Sequence, residues 1–461
     1  MLGRQRDLEQ VRTDLRDWLQ RRLPDARDLE VSSLRAPKAG VSNETFLFET
    51  TYRAGAQSRR ERLVARLEPR DFLVFPEYDL ERQYEVMARL DGSGVPVPRV
   101  RWLERDPAVL GGAFYVMDAV DGDVPSEVPS YHVFGWVHDA PPERRTRVWW
   151  NGLEMLARIH ALDWRARGLG VLGEPASGRD AIDRQLDYWD RYLALVRGEG
   201  PPQPTLDASL AWLRANAFTP RRVSLCWGDA RLPNQMFRDD RVAAVLDWEM
   251  AFLGDPEADL GWWCFLDWAN NEGYGGPHLD GIPSKQETLA RYAELTGHPV
   301  EHAHWHEVFA ALRYGVILGR VAIRMRAIGA SLPAADWESN NVCTQALARL
   351  LDLPPPGEER LTTSVGRRDA DAPVRLQFRL SGAGGGDWWV LVHGAEASRH
   401  AGVVGEPDAT LEADVADWRA VQAGDLDRLQ AFMDGKLRIN GDLTLFMLHE
   451  ALITRLSQEK N

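Results

Sequence analysis

At 461 residues the chain is long enough for two or three well-buried cores, and with 44% hydrophobic residues and 18 tryptophans it reads as globular. Its formal net charge of −14 argues against a nucleic-acid partner, which would need clustered Lys and Arg to displace counterions. Cys226, Cys264 and Cys343 are widely spaced, with no C-x-x-C pair, so they indicate neither a disulfide framework nor a zinc site. With a charged N-terminus and no apolar run of membrane-spanning length, the expectation is a soluble, cytoplasmic protein.

Residues 5–22 carry apolar positions at helical spacing (Leu8, Val11, Leu15, Leu19) and predict an opening amphipathic helix. A Gly-containing turn, 36–44, precedes a predicted strand at 45–49, and a second strand at 62–67 follows a polar connection. A helix over about 80–90 leads through Val95-Pro96-Val97-Pro98 to a strand at 113–118, which includes Met117. Nearly all basic residues are arginine, the lysines being Lys38, Lys285, Lys436 and Lys460.

From about 125 to 350 the pattern is mostly helical. His160 closes one helix, far in sequence from any site motif, and reads as a core or helix-end histidine. Within this part lies the most informative run. An apolar segment delivers Asp229, a short polar loop follows, Asn234 stands five residues on, and after a turn a β-rich strand delivers Asp247. Phosphoryl transfer needs one carboxylate to orient the attacking hydroxyl and hard oxygen ligands to hold magnesium on the phosphates, and this spacing supplies both. Asp229 fits the first task; Asn234 and Asp247 fit the second. Further on, His302, His304 and His306 cluster, but only His302 and His306 would share a helix face and no carboxylate motif accompanies them.

Leu353-Pro354-Pro355-Pro356-Gly357 breaks the helical pattern and opens a polar stretch that reads as a linker. Beyond it come short strands, 374–380 and 388–392, and then helical pattern on both sides of Gly435-Lys436-Leu437-Arg438-Ile439-Asn440-Gly441-Asp442.

Gly228, Asp229, Asn234 and Asp247, with the continuation Gly254-Asp255-Pro256-Glu257-Ala258-Asp259-Leu260, resemble the catalytic and metal-binding loops of the aminoglycoside phosphotransferase and choline kinase-like family. The departure is Trp227, where that family usually has a loop-supporting histidine. Pro407-Asp408-Ala409-Thr410-Leu411, Gly424-Asp425-Leu426, Phe432-Met433 and the run from Gly435 resemble a sterol carrier protein type two (SCP2-like) domain, in which an apolar tunnel holds acyl chains or sterols. A packed, ligand-free domain used for dimerisation or docking is the plainer alternative.

The resemblances imply an α+β chain: a bilobal protein-kinase-like fold, with an N-lobe at 1–122 and a helical C-lobe at 123–352, then a linker at 353–372 and a small SCP2-like sheet-and-helix domain at 373–461. They imply ATP and Mg2+ as cofactors. Gly40, Val41, Ser42 and Asn43 would offer backbone N–H groups to the phosphates, Arg66 would stand where kinases usually place a lysine, and Met117 belongs with the nucleotide-binding residues. Gln83 falls where the helix glutamate is expected, leaving Glu81 or Glu85 as substitutes. Asp259 would brace the loops, while Arg231 would touch phosphate or, as the favoured reading, pair with a surface carboxylate. The implied activity is small-molecule O-phosphotransfer, as in relatives associated with acyl-CoA metabolism that phosphorylate a hydroxyacyl thioester; the SCP2-like part favours an apolar hydroxyacyl or sterol-like acceptor. An aminoglycoside acceptor, or a non-catalytic lipid-binding or scaffold protein on a degenerate kinase fold, are the alternatives, and a homodimer stays open.

Overall fold

The computed structural model describes residues 6–35, 44–69, 73–127, 129–329, 332–356, 373–393, 396–423, 426, 431, 436–441 and 445. Gly40, Val41, Ser42 and Asn43, most of the 353–372 linker, and much of the chain after 423 therefore lie outside the described residues.

Helix α1 (Leu8–Arg22) is capped by Asp7, whose side chain accepts from the backbone N–H groups of Glu9 and Gln10. Its apolar stripe, Val11, Leu15, Trp18 and Leu19, lies over a five-stranded antiparallel sheet built from β1 (Ala26–Val31), β2 (Glu44–Ala54), β3 (Gln57–Leu67), β4 (Val100–Glu104) and β5 (Phe114–Asp118), in the order β1-β2-β3-β5-β4. Both predicted hairpin strands prove longer than their apolar runs, because cross-strand pairing of β2 with β3 continues through polar residues from Glu44↔Leu67 to Ala54↔Gln57. The polar-rich strands β1 and β4 carried no clear alternation and were not expected.

Strand parity places the first site residues. Leu63, Ala65, Leu67, Phe114 and Val116 point to the α1 side and are fully buried there. Val64 and Arg66, with their cross-strand partners Met117 and Tyr115, occupy the opposite face. That face is covered by α2 (Leu80–Leu90), N-capped by Asp79, and its core runs on into the helical part.

The helical part follows short helices α3 (Pro107–Leu110) and α4 (Gly135–Asp139) with α5 (Pro142–His160), α6 (Gly178–Glu199), α7 (Pro204–Ala215), α8 (Glu257–Ala269), α9 (Lys285–Thr296), α10 (Ala303–Ala327) and α11 (Val342–Leu350). Set among these are two small antiparallel ladders, β6 (Ser224–Cys226) with β9 (Phe252–Gly254), and β7 (Gln235–Arg238) with β8 (Arg241–Val245). The core is unusually aromatic: Trp149, Trp189, Trp227, Trp248, Trp262 and Trp263 are all essentially inaccessible. Burial of so many indoles stabilises strongly; Trp149, Trp227, Trp248 and Trp262 each find an acceptor for the N–H, whereas Trp189 and Trp263 find none among the described residues. All three cysteines are buried free thiols.

The C-terminal sheet has the order β12-β11-β10-β13-β14, with β10 (Val374–Ser381), β11 (Gly386–His393), β12 (Glu396–Ala401), β13 (Ala409–Asp414) and β14 (Leu437–Gly441). Among the described residues of this sheet, only β10 and β13 pair in parallel. With α12 (Val415–Ala423) it encloses its own core, centred on Leu376, Phe378, Val390, Leu411 and Trp418, in which the Phe378 and Trp388 rings stack at 3.8 Å. Among the described residues no helix is long and apolar enough to cross a membrane.

Candidate active site

Strand β6 carries the chain to Trp227 and Gly228, and the glycine here is required. Its φ is +92°, and a Cβ would stand 2.0 Å from the Met250 carbonyl oxygen. The backbone N–H groups of Trp227 and Gly228 donate to the two oxygens of Asp259, at 2.6 and 2.9 Å, so an inaccessible carboxylate on α8 clamps the loop. His160 Nε2 lies 3.0 Å from the same carboxylate, with Nδ1 2.6 Å from the Tyr292 hydroxyl. His160 is thus a core histidine that also supports the loop, a role its distance in sequence concealed. Trp227 completes the clamp: its indole N–H donates to the carbonyls of Leu246 at 2.8 Å and Asp247 at 3.1 Å, tying the Asp229 loop to the Asp247 loop. We expect Asp259→Ala to lower stability by about 3 kcal/mol or more, since it strands two loop N–H groups and a buried imidazole. An unchanged thermal midpoint would remove Asp259 from this role.

Asp229 is 7% exposed and its carboxylate is held from three sides. Trp262 Nε1 donates to Oδ1 at 2.8 Å, while Asn234 Nδ2 and Arg231 Nε donate to Oδ2 at 2.6 and 3.1 Å. The Asn234 amide nitrogen is committed to Asp229, and no hydrogen-bond donor among the described residues takes its amide oxygen. Asn234 is delivered by a 3-10 turn, and its backbone oxygen accepts from the N–H of Leu246, next to Asp247. Asp247 itself sits in left-handed backbone, φ +61°, a conformation that Asp and Asn tolerate better than most residues. A carboxylate and a carboxamide oxygen are hard donors suited to magnesium.

Arg66 reaches across to this loop, its Nη2 2.5 Å from Asp247 Oδ1 and 3.6 Å from Glu249 Oε2. Burial alone would push the guanidinium down, but Asp247, the Tyr115 hydroxyl and Glu249 outweigh it and hold Arg66 firmly protonated. Burial likewise pushes the Tyr115 hydroxyl up to about 12. The structure therefore brings together Arg66, Asp247, Asn234 and Asp229, and puts Met117 on the Arg66 face of the sheet.

Two expectations need correction. Neither Glu81 nor Glu85 partners Arg66: Glu81 is bound by Arg105 and Glu85 by Arg89, because α2 turns both acids away from the sheet. Arg231 does pair with carboxylates, but within the site, with Asp229 and Glu127, its side chain only 16% exposed. The three histidines do not converge: His306 binds Asp255 at 3.1 Å, His302 stacks on Phe218, and His304 meets Trp212 edge-on.

Two features had no sequence signal. Arg313 on α10 is 1% exposed, donates to the Gly228 carbonyl at 2.5 Å, and stacks on Trp262 at 4.2 Å. Burial draws its guanidinium down to about 10. The second is a hollow next to Arg231. A narrow cleft lined by Glu127, Tyr131, Arg231 and Asp267 shares Trp149 and Asp267 with a cavity of about 460 Å3, walled by Phe265, Trp268, His278, Arg349 and Leu350. The Asp267 carboxylate is fixed there by the Tyr131 hydroxyl and by His132 Nε2 at 2.7 Å.

Comparison with known proteins bears on family and fold. Residues 33–304 match the phosphotransferase enzyme family, and residues 360–454 the SCP-2 sterol transfer family. The chain is 31% identical over 284 residues to the Arabidopsis thaliana protein named probable acyl-CoA dehydrogenase IBR3, covering 58% of this chain and 33% of that one. It is 27% identical over 321 residues to acyl-CoA dehydrogenase family member 10 of Mus musculus, covering 68% of this chain and 28% of that one. The chain thus spans a third or less of the length of these curated relatives. Among solved structures, one from Ralstonia eutropha, assigned to the aminoglycoside phosphotransferases, superposes with a TM-score of 0.53 at 27% identity, covering 73% of this chain and 96% of that one.

Proposed function

Because the chain belongs to the phosphotransferase enzyme family, we propose that it is an ATP- and magnesium-dependent O-phosphotransferase acting on the hydroxyl of an apolar small molecule, a hydroxyacyl thioester or a sterol-like alcohol. The observation that carries this reading is the Asp229 carboxylate, oriented by Trp262, Asn234 and Arg231 and backed by the Asp247 loop and Arg66. Asp229 would orient the acceptor hydroxyl and accept its proton as the oxygen attacks the γ-phosphorus. Asn234 and Asp247 would hold magnesium, which supplies charge neutralisation on the phosphates. Arg66 would move from Asp247 to the non-transferred phosphates, where its planar fork can bind two oxygens. Positioning and charge compensation then account for the rate, with no covalent enzyme intermediate needed.

An apolar acceptor is supported by the match of the C-terminal part to a sterol transfer family and by relatives whose names refer to acyl-CoA chemistry; the cavity beside Asp267 sets Trp149, Phe265, Trp268 and Leu350 among the charged Glu272, Lys285, Glu307 and Arg349. Trp227 in place of the usual histidine is compatible with catalysis, because its indole secures the two loops to each other.

The test is ADP release by the full chain from Mg-ATP in the presence of long-chain hydroxyacyl-CoA, hydroxysterols or aminoglycosides. We expect kcat/KM for a hydroxyacyl-CoA to exceed that for any aminoglycoside by about 100-fold, the discrimination available to a pocket burying several additional methylenes. Preference for aminoglycosides would overturn the acceptor assignment. Nucleotide binding without turnover of any acceptor would favour a scaffold or lipid-binding role.

A further inference from the structure

A cation that grips phosphates must keep its place once the metal claims the aspartate beside it, and α2 offers no acid to hold it. The residue α2 turns inward is Gln83, 2% exposed, with its amide oxygen 3.5 Å from the Tyr115 hydroxyl. A different acid stands next to Arg66. The Glu249 carboxylate is 3.6 Å away with its side chain 7% exposed. Chain geometry explains the approach: Trp248 between the two acids is sunk into the core, its indole N–H 3.1 Å from the Val245 carbonyl, so residues 247 and 249 address Arg66 together.

We propose that Glu249 is the positioning residue for Arg66, doing from the metal-bearing loop what an acid on α2 would otherwise do; the assignment rests on the phosphotransferase reading above. When Asp247 turns to the cation, Arg66 loses its nearest partner and Glu249 remains to hold the guanidinium over the phosphates. A guanidinium can meet a carboxylate on one edge and a phosphate on another, whereas an ammonium is a single point of charge. Phosphate gripping is thereby coupled to the metal loop and is independent of α2.

Titration calorimetry on the full chain separates this from a role as a third metal ligand. ADP binding is measured in EDTA and in excess magnesium for the wild type, Glu249→Gln, Arg66→Met, the double variant and Gln83→Leu. We expect Glu249→Gln to weaken Mg-ADP about tenfold, the scale for breaking a part-buried charge pair, and ADP in EDTA by less, because Asp247 still holds Arg66 when no cation draws it away. In the Arg66→Met background the second change should cost nothing further, and Gln83→Leu should stay within about twofold. Loss confined to Mg-ADP and persisting without Arg66 would make Glu249 a metal ligand and overturn the proposal, as would a Gln83→Leu loss equal to that of Glu249→Gln. If Glu249→Gln does not fold, Glu249→Asp is expected to give the same pattern at smaller amplitude, and its absence counts equally against the proposal. Wild-type protein that binds no nucleotide in either condition defeats the phosphotransferase reading itself, whereas binding with an uncoupled cycle defeats only the assignment of Glu249.

Discussion

Replacing Asp229 with asparagine is expected to lower phosphoryl transfer by about 10³-fold while leaving the affinity for Mg-ADP nearly unchanged. The substitution keeps the side-chain shape and removes the proton acceptor. The structure adds a second consequence. Every neighbour of the carboxylate is a donor: Trp262 Nε1 on one oxygen, Asn234 Nδ2 and Arg231 Nε on the other. An asparagine must direct its NH2 at one of these donors, and an unmatched polar contact in a buried site costs on the order of 1–3 kcal/mol. The variant should therefore melt below the wild type, and the single-turnover rate, measured below its melting range, is the decisive reading. A transfer rate within tenfold of wild type would remove Asp229 as the base and with it the proposed mechanism.

What could be read before folding was the part of the site that is local in the chain. Asp229, Asn234 and Asp247 fall within one loop, hairpin and loop, so their spacing is itself the geometry. The α2 helix was equally legible, since Leu80, Val86, Met87 and Leu90 repeat at helical period and coincide with its buried stripe. The supporting residues are another matter. Arg313 reaches Gly228 from 85 residues away, His160 reaches Asp259 across 99, and Glu127 meets Arg231 across 104. Nothing in local periodicity marks a buried arginine on an apolar helix as different from a solvated one. The misjudged partner of Arg66 has the same origin. Glu81 and Glu85 were one helical turn apart in sequence and plausible by spacing, but side chains at those positions leave the helix on the side away from the sheet, and the acid came from a loop 183 residues on. Strand β1 escaped notice because its outward positions are charged and its inward ones, Ala26, Leu29 and Val31, break strict alternation; the register shift between Arg27 and Glu30 is the physical reason.

The second large effect concerns Asp247, and the backbone decides which substitution tests it. At φ +61° an alanine would add strain of roughly 1 kcal/mol, confounding a loss of metal with a distorted loop, whereas asparagine accepts the left-handed conformation. Asp247→Asn removes the charge and keeps the turn. Affinity for Mg-ATP should fall by about 100-fold, as a hard anionic ligand becomes a neutral one. Metal-free ATP should respond in the opposite direction. In the present arrangement Arg66 is engaged by Asp247 at 2.5 Å, and any phosphate must compete for that guanidinium; neutralising Asp247 frees it and also removes a negative charge facing the incoming nucleotide. Binding in EDTA is thus expected to tighten by a few fold, on the scale of one part-exposed ion pair. A purely structural role for Asp247 predicts something else, equal weakening with and without magnesium, so the sign of the change in EDTA separates an acid that carries the metal from one that merely shapes the loop.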